Sequence, residues 1–189
     1  ALIHIKSAGY GYGTAAISVD WRNHLAEVGA ARGYNVAVIH PRSGKVERIG
    51  RFDASNATRI ESLRMLRFVE SAPEGHIVVA VVADNGSNLT SEGVLALRKI
   101  GAASDVRGKP RWSHAVIGVK GAAPGTAVEV KGRYSEVDAY VVPGNVSPGI
   151  EQGLWEAEEM SRKSESNYLF LSGTRPEDVI ALILAIRTP

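Results

Sequence analysis

No cysteine occurs among the 189 residues, which excludes disulfides, thiolate metal sites and a cysteine nucleophile. The compartment stays open, because exported bacterial domains also manage without cysteine. No apolar run reaches the roughly 18–20 residues that cross a membrane as a helix, so direct membrane insertion is not expected. The first residues, Ala1-Leu2-Ile3-His4, lack the basic, apolar and small-residue succession of a signal peptide. They read as the start of a mature chain or of a domain cut from something larger. Charge of one sign is also scarce: 22 basic against 20 acidic residues leave a formal net charge of +2. Phosphate contacts carry most of the affinity of a nucleic-acid binder and call for a basic stripe. The nearest cluster, Arg59, Arg64 and Arg67, is interleaved with apolar residues like the wet face of a helix. Nucleic acid is therefore not an expected partner.

Motifs of catalysis are missing too. The histidines are His4, His24, His40, His76 and His114, and none pairs at i, i+4, so the helical zinc motif is absent. No Gly-x-Ser-x-Gly nucleophile elbow is present. The loop Gly9-Tyr10-Gly11-Tyr12-Gly13 lacks the Lys-Ser/Thr of a phosphate-binding loop. It reads as a structural turn, with Tyr10 and Tyr12 at the edge of the core. Glu156, Glu158 and Glu159 read as a solvated helix face. No catalytic residue, metal or cofactor is expected.

What is present is the composition of an ordinary folded domain, 44% hydrophobic and 22% charged. Strands are expected at Ile3 to Lys6, Ala15 to Asp20 and Asn35 to His40, the last forming a hairpin with Lys45 to Phe52. Ile60, Leu63, Leu66 and Val69 predict an apolar helical stripe, capped by Ser55 or Asn56. His76 to Ala83 is a continuous apolar run of strand length, the most buried strand on this reading. A second helix is expected from about Thr90 to Ile100, with Val94, Leu97 and Ile100 inward and Gly101 as its stop. Further strands are expected at His114 to Val119, Val128 to Val130, Val137 to Val142 and Tyr168 to Leu171, and a short helix at Leu154 to Lys163. Val179 to Ile186 is too evenly apolar to assign. Strands and helices alternate irregularly, which predicts a mixed α+β class with helices covering sheets.

Several stretches are more particular. Ser7-Ala8-Gly9-Tyr10-Gly11-Tyr12-Gly13 is followed by Arg32-Gly33-Tyr34-Asn35-Val36-Ala37-Val38, then Gly44-Lys45-Val46 and Phe52-Asp53. His76 to Asp84 leads into a helix ending Arg98-Lys99-Ile100-Gly101, and His114 to Gly121 closes the series. This ordered set resembles the interleukin-like EMT inducer (ILEI) domain, in a bacterial-type form, over roughly residues 3 to 122. The same domain forms the stem of protein O-mannose N-acetylglucosaminyltransferase. The resemblance implies a β-sandwich-like core of two sheets with helices packed outside. Residues 1–122 would be that core domain, and residues 123–189 a C-terminal extension that completes the fold or adds a small subdomain.

The resemblance also implies a ligand-binding rather than catalytic role. The family's sugar-contacting pattern, an Asp after the buried strand and an Arg and Trp before the last one, falls on Asp84 and Arg111. The family's Trp position is occupied by His114, with Trp112 two residues earlier. Asp84, Asn85, Arg111, Trp112 and His114 are thus the candidate ligand-binding residues. A carboxylate accepts from sugar hydroxyls, a guanidinium donates in a fixed fork, and an indole offers a face to the C–H side of a pyranose. The expected function is a non-catalytic carbohydrate-binding module of a larger extracytoplasmic or glycan-processing protein, with a glycan or glycoconjugate as partner. The alternative is a protein-interaction or oligomerisation domain without a sugar ligand.

Overall fold

The computed structural model describes residues 1–56, 59–144, 167–173 and 180–187. The centre of the fold is β6 (Ile77–Asp84), whose residues Ile77 to Val82 are all buried. A strand covered on both faces needs apolar side chains on both, which is why its sequence is a run and not an alternation. On one edge β6 pairs antiparallel with β4 (Gly33–Ile39), which forms a hairpin with β5 (Val46–Phe52). On the other it pairs antiparallel with β7 (Ser113–Val119), followed by β8 (Val128–Gly132).

A second group of strands is gathered by β1 (Ile3–Gly9), which pairs antiparallel with β2 (Ala16–Val19) and with β9 (Val137–Gly144). The last two residues of β1, Ala8 and Gly9, instead run parallel to Ala83 and Asp84 of β6. The expected two sheets are therefore joined, through β1, into one continuous mixed sheet. β10 (Asn167–Gly173) and β11 (Ile180–Arg187) extend it, β11 lying against β9. From Ile180 onward the ambiguous apolar run is thus strand, Val179 lying outside the described residues. The helix expected at Leu154 to Lys163 and the acidic group Glu156, Glu158 and Glu159 lie outside the described residues.

Two hydrophobic clusters hold the layers. One packs Ile3, Ile5 and Ile17 against Val79, Val81 and Ala115, and it takes in Val128, Val130, Val137, Ala139 and Val141. The core thus continues past residue 122. The other lies between β4, β6 and β7 and the helices α2 (Arg59–Glu70) and α3 (Ser91–Arg98). Helix α2 buries the predicted stripe only in part, with Val69 buried and Leu66 packed against the helix-side cluster. Ser62, Met65 and Val69 face inward, while Ile60 is exposed. Ser62 is tolerated there because its Oγ accepts the Thr90 backbone N–H at 3.0 Å, and Gly93 lets α3 approach it closely. The expected caps Ser55 and Asn56 are separated from Arg59 by residues 57–58, which lie outside the described residues. The Ser55 Oγ accepts from Asn85, and the Asn56 amide donates to Asp53. In α3, Gly93, Ala96 and Leu97 are buried and Val94 is only half-buried. The stop at Gly101 has the positive φ of 93° expected of it.

One short helix escaped the sequence pattern. After the two-residue strand β3 (Arg22–Asn23), Asn23 caps α1 (His24–Val28) by accepting from the Leu25 and Ala26 N–H groups. The β2–β3 turn is Asp20-Trp21, both with positive φ, as a two-residue hairpin turn matched to sheet twist requires.

Candidate functional site

The crossover of β1 onto β6 builds a corner from four loops. Asp84 ends β6 with a φ of 67°, and the Asn85 N–H donates back to the Ala83 carbonyl at 2.8 Å. That three-residue turn with positive central φ is strained and reverses the chain at once. The Asp84 carbonyl accepts the Tyr10 N–H at 2.8 Å, which fixes the loop after β1 to the end of β6. Asn85 ties the remaining loops together. Its Oδ1 accepts from the Ser87 N–H at 3.2 Å and the Arg111 N–H at 3.4 Å, and its Nδ2 donates to Ser55. Asn85 is therefore a positioning residue whose amide is committed to the protein.

Arg111 also sits at positive φ, 62°, and its carbonyl lies so close to Gly9 that a Cβ there would overlap it. Its guanidinium lies over the Tyr10 ring, 5.6 Å from the centroid. Tyr10 is 62% exposed and Tyr12 is exposed beside it, so neither occupies the core-edge position expected of it. Tyr12 stacks on Tyr134 at 5.3 Å, and Arg133 covers Tyr134 at 5.2 Å. Tyr134 is the third residue of this corner with positive φ. Only Asp20 and Trp21 share that trait among the other described non-glycine residues. Backbone strain of this kind costs on the order of 1 kcal/mol per residue and persists where surrounding structure enforces it, commonly at ligand sites.

The Asp84 carboxylate is half-buried and accepts no hydrogen bond among the described residues. Its charge is felt by Arg32. The Arg32 pKa is raised first by its hydrogen bond to Asp53 and to a smaller degree by Asp84. Arg32 itself is held by Asp53 through contacts of 2.7 and 3.3 Å. The corner thus presents a carboxylate with open acceptor positions, a guanidinium and an exposed aromatic face.

Two predicted residues play other parts. Trp112 is half-buried against the helix-side cluster, and Lys109 covers its ring at 4.9 Å, so Tyr10 is the more open platform. His114 is fully buried and does not reach the corner. Its Nδ1 meets the Tyr34 hydroxyl at 2.7 Å and its Nε2 meets Glu129 at 2.7 Å. An ionised Glu129 can only accept, so Nε2–H donates to it, and Nδ1 shares the second hydrogen bond with the Tyr34 hydroxyl. Burial works to raise the Glu129 carboxyl, but the hydrogen bond and charge of His114 and donation from Ser104 and Ala103 bring it down to about 2. Burial pushes the Tyr34 hydroxyl well up. The spacing is that of a proton relay, but with Tyr34 and His114 sealed in the core it locks β4, β7 and β8 together. His114 also supports the corner from behind: its N–H donates to Ser7 Oγ at 2.9 Å, and Ser7 donates to the Val82 carbonyl.

Among the described residues no group of three His, Cys, Asp or Glu side chains is arranged to hold a metal, and no helix is long and apolar enough to cross a membrane. Tyr10, Tyr12, Arg133 and Tyr134 are the corner residues the sequence reading did not place in a site. Their only sequence signal was aromatic residues set beside glycines in turn-prone stretches.

Among curated proteins, a human cell migration-inducing and hyaluronan-binding protein is 38% identical over 72 residues, 38% of this chain. The chain spans about 5% of the length of that relative. Neither that name nor the family description names a catalytic activity. The family description, interleukin-like EMT inducer, is matched by residues 32–122, which carry Asp84, Asn85, Arg111, Trp112 and the buried lock of Tyr34 and His114. Residues 32–122 of this chain are an ILEI domain.

Proposed function

We propose that this chain is a non-catalytic glycan-binding module of a larger extracytoplasmic protein, and that the Asp84–Arg111 corner is its binding site. The observation that carries the reading is the half-buried Asp84 carboxylate, unbonded among the described residues, in a corner whose next loop, tied to it through Asn85, carries a guanidinium resting on an exposed Tyr10 ring. Sugar hydroxyls come in adjacent pairs that a carboxylate accepts together, and a guanidinium donates to the ring oxygen and neighbouring hydroxyls. Tyr10 supplies the flat apolar surface against which the C–H face of a pyranose stacks. All three groups arrive preorganised by strained loops, which lowers the ordering cost of binding. The hyaluronan-binding name of the human relative is in keeping with a glycan partner.

A glycan array probed with the intact chain tests the reading, with Asp84→Asn and Arg111→Ala as comparisons. A hit lost in both variants supports it. A hit retained in both moves the site elsewhere, and an array blank up to high protein concentration removes the glycan reading in favour of a protein-interaction domain.

A further inference from the structure

We infer that the ligand is a polyanionic glycan, one whose sugars carry carboxylates or sulfates, and that it lies along a surface extending from the Asp84–Arg111 corner to the β8–β9 turn. This inference rests on the glycan reading and adds the charge class and the footprint.

The surface is continuous in contacts. Tyr10 follows Gly9, which packs on the Arg111 backbone, and Arg111 covers Tyr10. Tyr12, two residues on, stacks against Tyr134, which Arg133 covers. The register brings these loops together, since Ser7 of β1 faces Val137 of β9 and Ser113 of β7 faces Gly132 of β8. Exposed guanidinium groups therefore alternate with exposed tyrosine rings, at Arg111 on Tyr10 and Arg133 on Tyr134. Lys131 is exposed beside them and Lys109 lies at the near end, over Trp112.

Charge decides the class of ligand. None of Lys109, Arg111, Lys131 and Arg133 makes an ion pair among the described residues. The cations of neighbouring surface are neutralised: Arg32 by Asp53, Arg98 and Arg107 by Asp105, and Lys6 by Glu136. In a chain with a net charge of only +2, four unpaired cations at one end are a local excess. Each guanidinium held over a ring is fixed in plane, ready for bidentate contact with a carboxylate or sulfate. The open face of the Tyr10 ring takes a sugar face.

Basic residues interleaved with aromatics also suit single-stranded nucleic acid. Two features favour the glycan. The Tyr12 ring is stacked on Tyr134, and Tyr10 and Tyr134 each carry a guanidinium, so one face of each is already occupied and bases cannot intercalate between them. The Asp84 carboxylate lies at the corner, where it accepts from a sugar hydroxyl, a donor that single-stranded DNA lacks along its backbone.

The test measures binding of the intact chain to four probes: a hyaluronan octasaccharide, a heparin octasaccharide, a neutral chito-oligosaccharide and an oligothymidylate. It is run at several salt concentrations, with Arg133→Glu, Lys131→Glu and Asp84→Asn as variants. The expected result is that an acidic octasaccharide binds at least about tenfold tighter than the neutral sugar at low salt, and that this ratio falls about tenfold in Arg133→Glu and Lys131→Glu. The salt dependence should flatten in both, as expected when a cation leaves a polyanion site. If the neutral sugar binds as tightly as the acidic ones and is lost in Asp84→Asn, the glycan reading stands and the polyanion inference fails. Oligothymidylate binding as tight as the best sugar overturns the ligand class, and absence of binding to every sugar overturns both.

Discussion

Glu129 offers a measurement of the buried lock in isolation from the rest of the acid-sensitive surface. Its carboxyl is held down to about 2 in the folded protein, against about 4.3 in an unfolded chain. A depressed carboxyl adds stability that is fully present above the unfolded value and is lost as the pH falls through the folded one, so the window runs from about pH 5 to about pH 2. Two units at about 1.4 kcal/mol each set a ceiling near 3 kcal/mol, and partial solvent access at the carboxylate edge reduces the expectation to about 2 kcal/mol. Glu129→Gln is neutral at every pH, like protonated Glu129. The variant should therefore be about 2 kcal/mol less stable than the parent at pH 7, with the gap closing toward zero near pH 2. Urea denaturation at pH 7, 4.5 and 2.5 reads this directly. With a slope of roughly 2 kcal/mol per molar, the midpoints should differ by about 1 M at pH 7 and converge at acid pH. Two curves that stay parallel across the range would show that the His114–Glu129 contact carries no net charge energy and would refute the account of the lock.

Other outcomes follow from packing and backbone geometry. Met65→Ala should cost about 2–4 kcal/mol and Ile60→Ala less than about 0.5, measured by thermal or urea unfolding, since only the former faces the core. Gly9→Ala should cost about 2 kcal/mol, because its methyl meets the Arg111 carbonyl and a backbone atom cannot swing away. Asp84→Ala should be less stable than Asp84→Gly by about 1 kcal/mol, since glycine alone is at ease at a φ of 67°. Both Asp84 variants should lose glycan binding, which separates the loss of the carboxylate from the loss of the fold.

The sequence made the central strand plain, because burial on both faces leaves an unbroken apolar run from Ile77 to Val82. It also placed Asp84 and Arg111 at strand ends, where the ordered motifs put them. The α2 face was misread for a geometric reason. Residues three apart fall short of a helical turn by about 60° per step, so Ile60, Leu63, Leu66 and Val69 wind halfway round the helix. Ser62, Met65 and Val69 stay in a narrow arc, but a serine in that arc is invisible to a hydrophobic pattern until its bond to the Thr90 N–H is known. His114 was named because it occupies the family's Trp position; only Tyr34 and Glu129, 80 and 15 residues away, explain its burial. The Tyr12–Tyr134 stack had no signal at all, since it depends on the β1–β9 register and not on any local pattern.

The position of β1 between two groups of strands has a consequence for synthesis. In chain order β1 precedes its partners by a long way, since they are at residues 83–84 and 137–141. Only β2 is at hand early. This strand is therefore among the last to be fully paired, and its apolar side chains Ile3 and Ile5 wait for more than a hundred residues to be added. Folding from such distant contacts is slow, and an unpaired strand edge is a template for association with other chains. A fragment ending at residue 122 keeps all of the ILEI match but leaves the β9 side of β1 open. Such a fragment should stick to itself, and a chaperone that shields β1 during synthesis should raise the yield of folded protein more than one that acts after release.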